Sequence, residues 1–226
     1  MGMSVPRWVW IGAGSLACIA GMVNVVGFLG FEHQAITHLT GTTSLLGAAI
    51  AHGDTRATLR LGGMALAFLA GAALSGMIIQ DSTLRIGRRY GIVLVLESLL
   101  LFLAIPLFGH DSIEGPLLAA IACGLQNAMA TTFSGAVIRT THLSGMFTDL
   151  GIGIGHALRG LPLPKRRLML SALIIGSFLG GGIIGGWLFV RFAYDALLLP
   201  AALTGVVGTG YALYRQWAVM HDKVRA

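Results

Sequence analysis

The chain has 226 residues, of which 55% are hydrophobic and 11% charged, with 33 glycines and a mean hydropathy of +0.81. Soluble domains carry about 25% charge, so a water-soluble globular fold is excluded, and the apolar runs between the sparse charges reach the roughly 20 residues that a bilayer core requires. The formal net charge is +6, but the cations lie in short segments between apolar runs, a pattern of membrane topology rather than of nucleic-acid binding.

In chain order, Arg7 precedes an apolar run from Trp8 to Phe31 that is longer than a signal-peptide core and lacks a small-residue cleavage site, so it reads as a retained first helix. A polar, β-branched segment from Gln34 to Thr40 then leads into a short apolar stretch, Gly41 to His52. Full-length runs follow at Leu61 to Gln80 and Tyr90 to Phe108. Gly115 to Phe133 opens a second series, in which Val137 to Ser144 leads into a second short stretch, Gly145 to His156, before the runs Leu168 to Val190 and Ala196 to Tyr214. Six runs are thus long enough to cross as helices. The two short stretches cover 11 steps each, about 17 Å at 1.5 Å per residue, or half a hydrocarbon core. Both lead-ins read as extended. Cys18 and Cys123 lie inside apolar runs, so no disulfide framework is indicated.

The cations distinguish two topologies. If all eight apolar stretches cross and the N-terminus is inside, 10 cations fall inside and 5 outside, with Arg85, Arg88 and Arg89 on the wrong side. If the short stretches dip in and return, only Arg56, Arg60 and Arg191 remain outside, and the balance becomes 12 to 3. The second arrangement is preferred: six spans plus two re-entrant half-helices, with both termini cytoplasmic. A crossing that starts at Gln34 and ends at His52 keeps the first arrangement open.

The chain also matches itself. Thr37-His38-Leu39-Thr40-Gly41 recurs as Thr141-His142-Leu143-Ser144-Gly145, Gly21 and Asn24 recur as Gly124 and Asn127, Leu46-Gly47 and His52 as Leu150-Gly151 and His156, and Phe68-Leu69 with Gly71 and Gly76 as Phe178-Leu179 with Gly181 and Gly186. The offsets are 103, 104, 104 and 110, and four collinear blocks are hard to obtain by chance. Repeat one would cover about residues 8–108 and repeat two about 115–215 of a single membrane domain spanning 1–226. Three spans per repeat is an odd number, so the second repeat would enter from the opposite face. An inverted repeat whose broken helices meet near the midplane is a construction common among transporters.

At Gly124-Leu125-Gln126-Asn127-Ala128 and Val137-Ile138-Arg139-Thr140-Thr141-His142-Leu143-Ser144-Gly145, with Thr40-Gly41 as the first-half counterpart, the sequence resembles the YoaK-like family of uncharacterised bacterial membrane proteins, a domain of unknown function. The resemblance covers nearly the whole chain. It implies a multi-spanning protein of the bacterial cytoplasmic membrane and supplies no substrate, so function must come from the residues.

Thr40 and Ser144 are expected at the N-caps of the half-helices, where a hydroxyl satisfies an orphaned amide, and Gly41 and Gly145 let the backbone approach a ligand. Such helix starts favour an anion or polar group; the competing reading is that they only cap a buried helix. Thr37, His38, Thr141 and His142 complete this substrate-binding set. Asn24 and Asn127 either line a pathway or bond a neighbouring helix. Glu97, Arg139 and Asp149 are ionisable at membrane depth and are candidates for coupling, with mutual neutralisation of Asp149 and Arg139 as the alternative. His52 and His156 fit the negative ends of the half-helix dipoles. Gly71 to Gly76, Gly176-x-x-x-Gly180 and Gly182-x-x-x-Gly186 read as close helix packing. His38, His142 and Asp149 lack the spacing of a metal site, so no metal or cofactor is assigned. Gly151-x-Gly153-x-Gly155 lacks the β-α-β context of a nucleotide loop, and no catalytic motif is present. The expectation is therefore a transporter, not an enzyme, for a small polar or anionic solute, with lipid and solute as its partners and its oligomeric state unread. A passive channel and a non-transporting structural or signalling protein are the alternatives.

Overall fold

The computed structural model describes residues 7–31, 36–79, 89–108, 112–133 and 140–225. Among them the secondary structure is entirely helical: α1 (Arg7–Gly30), α2 (Leu39–Ala51), α3 (Thr55–Ile78), α4 (Arg89–Ala104), α5 (Glu114–Phe133), α6 (Leu143–Leu158), α7 (Lys165–Phe192) and α8 (Leu198–Arg225), with short 3-10 turns at Ile105–Leu107 and Ala193–Leu197. Among the described residues four stretches are long and apolar enough to cross a membrane, namely Val9–Gly30, Thr55–Ile78, Arg89–Leu107 and Lys165–Tyr214, the last containing both α7 and the start of α8. α5 carries Gln126 and Asn127 in its interior and is not among them. Large apolar side chains such as Ile11, Met77, Val190 and Val206 are more than 65% exposed, as expected where the solvent is lipid. This is a membrane-type helical protein.

The cause of each short helix lies at its ends. α2 stops at Gly53 (φ +69) and α6 at Gly160 (φ +67), a left-handed conformation that costs an L side chain about 1–2 kcal/mol. In both, the chain folds back in a Schellman motif: the amides of Gly53 and Asp54 reach the carbonyls of Ile50 and Ala49, and those of Gly160 and Leu161 reach Ala157 and His156. The helices are thus 13 and 16 residues long, about 20 and 24 Å; both begin two residues before the apolar runs, at Leu39 and Leu143, and α6 also runs on past His156 to Leu158. His52 sits at the C-cap of α2 with Nδ1 2.8 Å from the Ala48 carbonyl, and His156 lies in the last turn of α6. The lead-ins differ from expectation: residues 36–37 and 140–141 form turns, while 32–35 and 134–139 lie outside the described residues.

Packing pairs helices across the sequence. α1 lies along α7 and α3 along α5, the two most extensive interfaces. Both rest on glycine, because without a hydrophobic force between helices in lipid the close approach of backbones must supply the contact. A Cβ on Gly21 would overlap the Phe178 carbonyl, and one on Gly181 the Cys18 carbonyl; a Cβ on Gly124 would overlap the Phe68 carbonyl, and one on Gly71 the Ile121 carbonyl. The packing stripe on α7 is Gly181 and Gly185, whereas Gly176 and Gly180 face open space and Gly182 and Gly186 meet only the Val25 side chain and Leu29 or the Gly21 carbonyl at its edge. The Gly176-x-x-x-Gly180 pair therefore does not pack a helix among the described residues. α4 packs on both α5 and α8, with the Ser98 hydroxyl donating to the Ala201 carbonyl at 2.7 Å. At the α7–α8 corner Ala193 takes φ +48, and Tyr194 stacks on Phe108 with ring centroids 4.8 Å apart while donating to the Gly30 carbonyl.

Candidate functional site

α2 and α6 start in the same way. His38 (φ −89, ψ 65) and His142 (φ −91, ψ 58) occupy the N-cap positions, so Thr40 and Ser144 stand two residues inside the helix and do not cap it. A β-branched or small polar residue was the expected cap; the turn at Thr37 and Thr141 moves the start two residues upstream. The first regular main-chain bonds run from Thr42 to the His38 carbonyl and from Met146 to the His142 carbonyl, so the amides of the first turns precede the helical ladder. Gly41 and Gly145 serve the histidines: a Cβ on Gly41 would overlap the His38 imidazole, and one on Gly145 the His142 imidazole. Each ring folds back over the first turn of its own helix, into space that only glycine leaves.

Each turn is tied to the long helix before it. The Thr37 amide and hydroxyl both donate to Asn24 Oδ1, at 3.0 and 2.7 Å. In the second half the Thr141 hydroxyl donates to Asn127 Oδ1 at 3.3 Å. Asn24 and Asn127 thus bond a turn of their own half, not a neighbouring long helix.

The two starts share one cavity of about 250 Å³, lined by Asn24, Thr37, His38, Leu39, Thr40 and Phe68 and by Asn127, Thr141, His142, Leu143, Ser144 and Phe178. Every lining residue from one half has its sequence-matched counterpart from the other. Phe68 and Phe178 belong to the fourth repeat block and carry the carbonyls on which Gly124 and Gly21 close, so the glycine contacts of the long helices set the walls of the cavity. Those phenylalanines have no polar chemistry to mark them as site residues in sequence; their repeat offset was the available signal. Gly41 and Gly145 lie behind the histidine rings instead of lining the cavity.

The ionisable candidates lie elsewhere. Glu97 is 2% exposed in α4 and accepts from Gln126 Nε2 at 2.8 Å, while its Oε2 is unpartnered among the described residues. Gln126 precedes Asn127 on α5 and lies in the motif that carries the family resemblance, but the internal repeat did not mark it as a site residue, because its counterpart by the 103-residue offset is the apolar Val23. Asp149 pairs bidentately with Arg167 of α7, Nε to Oδ2 at 2.8 Å and Nη2 to Oδ1 at 2.7 Å. Its expected partner Arg139 lies outside the described residues. Asp149 therefore ties α6 to α7, and its matched position in α2 is Leu45. Among the described residues no three metal-ligating side chains cluster.

A second, apolar cleft of about 330 Å³ opens between α1, α4, α5 and α8, next to Leu16, Tyr90 and Tyr211. Neither a curated protein nor a solved structure matches the chain. A family model described as "Protein of unknown function (DUF1275)" matches residues 13–210, a range that contains the cavity, the glycine contacts and both short helices. The chain belongs to that DUF1275 family of proteins of unknown function.

Proposed function

We propose that the protein is a transporter of a small polar or anionic solute, with the cavity between the starts of α2 and α6 as its site. The observation that carries this reading is the shared cavity with matched lining from both halves. Its volume lies just below the roughly 300–1,000 Å³ of sites for drug-sized ligands, which suits a small solute. In this reading α2 and α6 are re-entrant, the six long helices span, and the halves α1–α4 and α5–α8 form an inverted 3+3 repeat whose site lies near the midplane of the bacterial inner membrane, both termini being cytoplasmic. Supporting it are the paired glycine contacts, Gly21 on Phe178 and Gly124 on Phe68, which a two-fold relation exchanges. No bond-making step, metal or cofactor is required, and the YoaK-like identification adds no substrate. Glu97, buried with one free oxygen, is the candidate coupling residue.

The test is flux into vesicles containing the purified protein. Uptake of a small solute is expected, driven by an imposed proton gradient, and Gly41→Leu or Gly145→Leu should lower it at least tenfold while the protein remains inserted and monodisperse, because a leucine there displaces the histidine ring into the cavity. Gradient-independent flux would assign a passive channel. No flux across a broad solute panel would leave the structural or signalling role.

A further inference from the structure

Taking the transporter reading as its basis, we infer that the cavity selects small anions over cations and neutral solutes, because Asn24 keeps its amide NH2 free for the solute and the lining carries no carboxylate among the described residues. The orientation of Asn24 is fixed by chemistry. The Thr37 main-chain N–H is an obligate donor, so the atom facing it at 3.0 Å must be the amide oxygen. That oxygen also takes the Thr37 hydroxyl hydrogen. Nδ2 is left with two hydrogens and no protein partner among the described residues, on a side chain that lines the cavity. In the second half the Thr141 hydroxyl alone bonds Asn127 Oδ1, at 3.3 Å, which leaves Nδ2 for the cavity in the same way. One donor group fixed by an obligate N–H, that of Asn24, therefore lines the cavity, and Asn127, whose hydroxyl partner accepts as well as donates, supplies the matching amide from the other half.

The remaining lining supports the same sign. Among the described residues that line the cavity there is no carboxylate to hold a cation and no Lys or Arg to bind an anion irreversibly tightly. The Thr40 and Ser144 hydroxyls and the two imidazoles can donate or accept, so they follow the solute. The Leu39 amide donates to the Thr37 carbonyl, and the start of each helix adds a positive dipole end from each half. A cation entering this space would lose its hydration shell and meet amide hydrogens. An anion with acceptor atoms on two sides, such as a carboxylate or a trigonal oxyanion, meets a donor set from each half.

The experiment compares nitrate and formate with potassium and urea in vesicles holding the wild-type protein and the variants Asn24→Asp and Asn127→Asp. Aspartate keeps an oxygen for the threonine bond and replaces the free donor by an acceptor. We expect nitrate or formate flux at least tenfold above that of potassium and urea, and at least a tenfold loss of anion flux in each variant. Wild-type protein that carries potassium or urea as readily as the anions overturns the inference and leaves the transporter reading standing, as does unchanged anion flux in both variants. Wild-type protein that carries none of the four probes overturns the anion inference on its own, and flux of no solute across a wider panel removes the transporter reading beneath it. Because the wild-type selectivity is read directly, the inference remains falsifiable if either variant fails to fold.

Discussion

Glycine serves three different physical purposes in this chain, and the space around each residue separates them. Gly53 and Gly160 have nothing within reach of an added Cβ, yet both hold a positive φ, so only backbone strain opposes substitution. Gly53→Ala and Gly160→Ala are each expected to lower stability by about 1–2 kcal/mol. Gly47→Ala and Gly151→Ala, in the open middle of the same helices, should raise it, by about 0.5–1 kcal/mol. Thermal unfolding in detergent compares the four, and equal effects at all four positions would contradict the Schellman termination. Gly41 and Gly145 form the second class, where the obstacle is the side chain of a histidine three residues earlier. The third class, Gly21, Gly71, Gly124 and Gly181, meets main-chain carbonyls of another helix, which cannot rotate away.

At the scale of the helices, that third class makes α1–α7 and α3–α5 rigid units. Gly181→Val should cost more than a typical core substitution, well above about 3 kcal/mol, because a branched side chain must push α1 away along its length; Gly176→Val, directed into open space, should be tolerated. Size-exclusion profiles of the two variants provide the check, and similar profiles would show that the interface adapts. Much of this was legible in the sequence. Apolar length pointed to the long helices, and the recurring Thr37-His38-Leu39-Thr40 and Asn24 are among the residues that line the cavity, whereas Phe68 and Phe178 were not expected there and Gly41 and Gly145 were. The helix starts were misjudged because hydroxyl side chains are the preferred caps, and here the Asn24–Thr37 bond shapes the turn so that a histidine takes the cap position. Which glycines pack was not legible either: Gly176-x-x-x-Gly180 and Gly181-x-x-x-Gly185 are offset by five residues on one helix, and only the position of α1 decides between them. The Asp149–Arg167 pair could not be chosen over Asp149–Arg139 without knowing that α6 returns along α7.

At the scale of the whole molecule, the most extensive helix pairs cross the repeat boundary. α1, the first helix of one half, packs on α7 of the other, and α5, the first helix of the second half, packs on α3 of the first. Reciprocal exchange of this kind is what a two-fold relation between halves produces, and the direction of the axis follows from how many times each half crosses. With α2 and α6 re-entrant, three crossings per half put the loop after α2 and the loop before α5 on the same outer face, and the segment before α4 on the inner face with the arginines at 85, 88 and 89. With α2 and α6 crossing, four per half would put those arginines outside, against the electrical preference that keeps Lys and Arg on the cytoplasmic side. Single cysteines at Thr55, Ser112 and Arg88, in a background with Cys18 and Cys123 changed to Ala, separate the two. Thr55→Cys and Ser112→Cys should react with a membrane-impermeant maleimide added to intact cells, and Arg88→Cys should react only after the membrane is opened. Labelling of Arg88→Cys in intact cells with protection of Thr55→Cys, while a Ser4→Cys variant stays protected and so places the N-terminus inside, would mean that α2 crosses and that the inverted 3+3 relation fails.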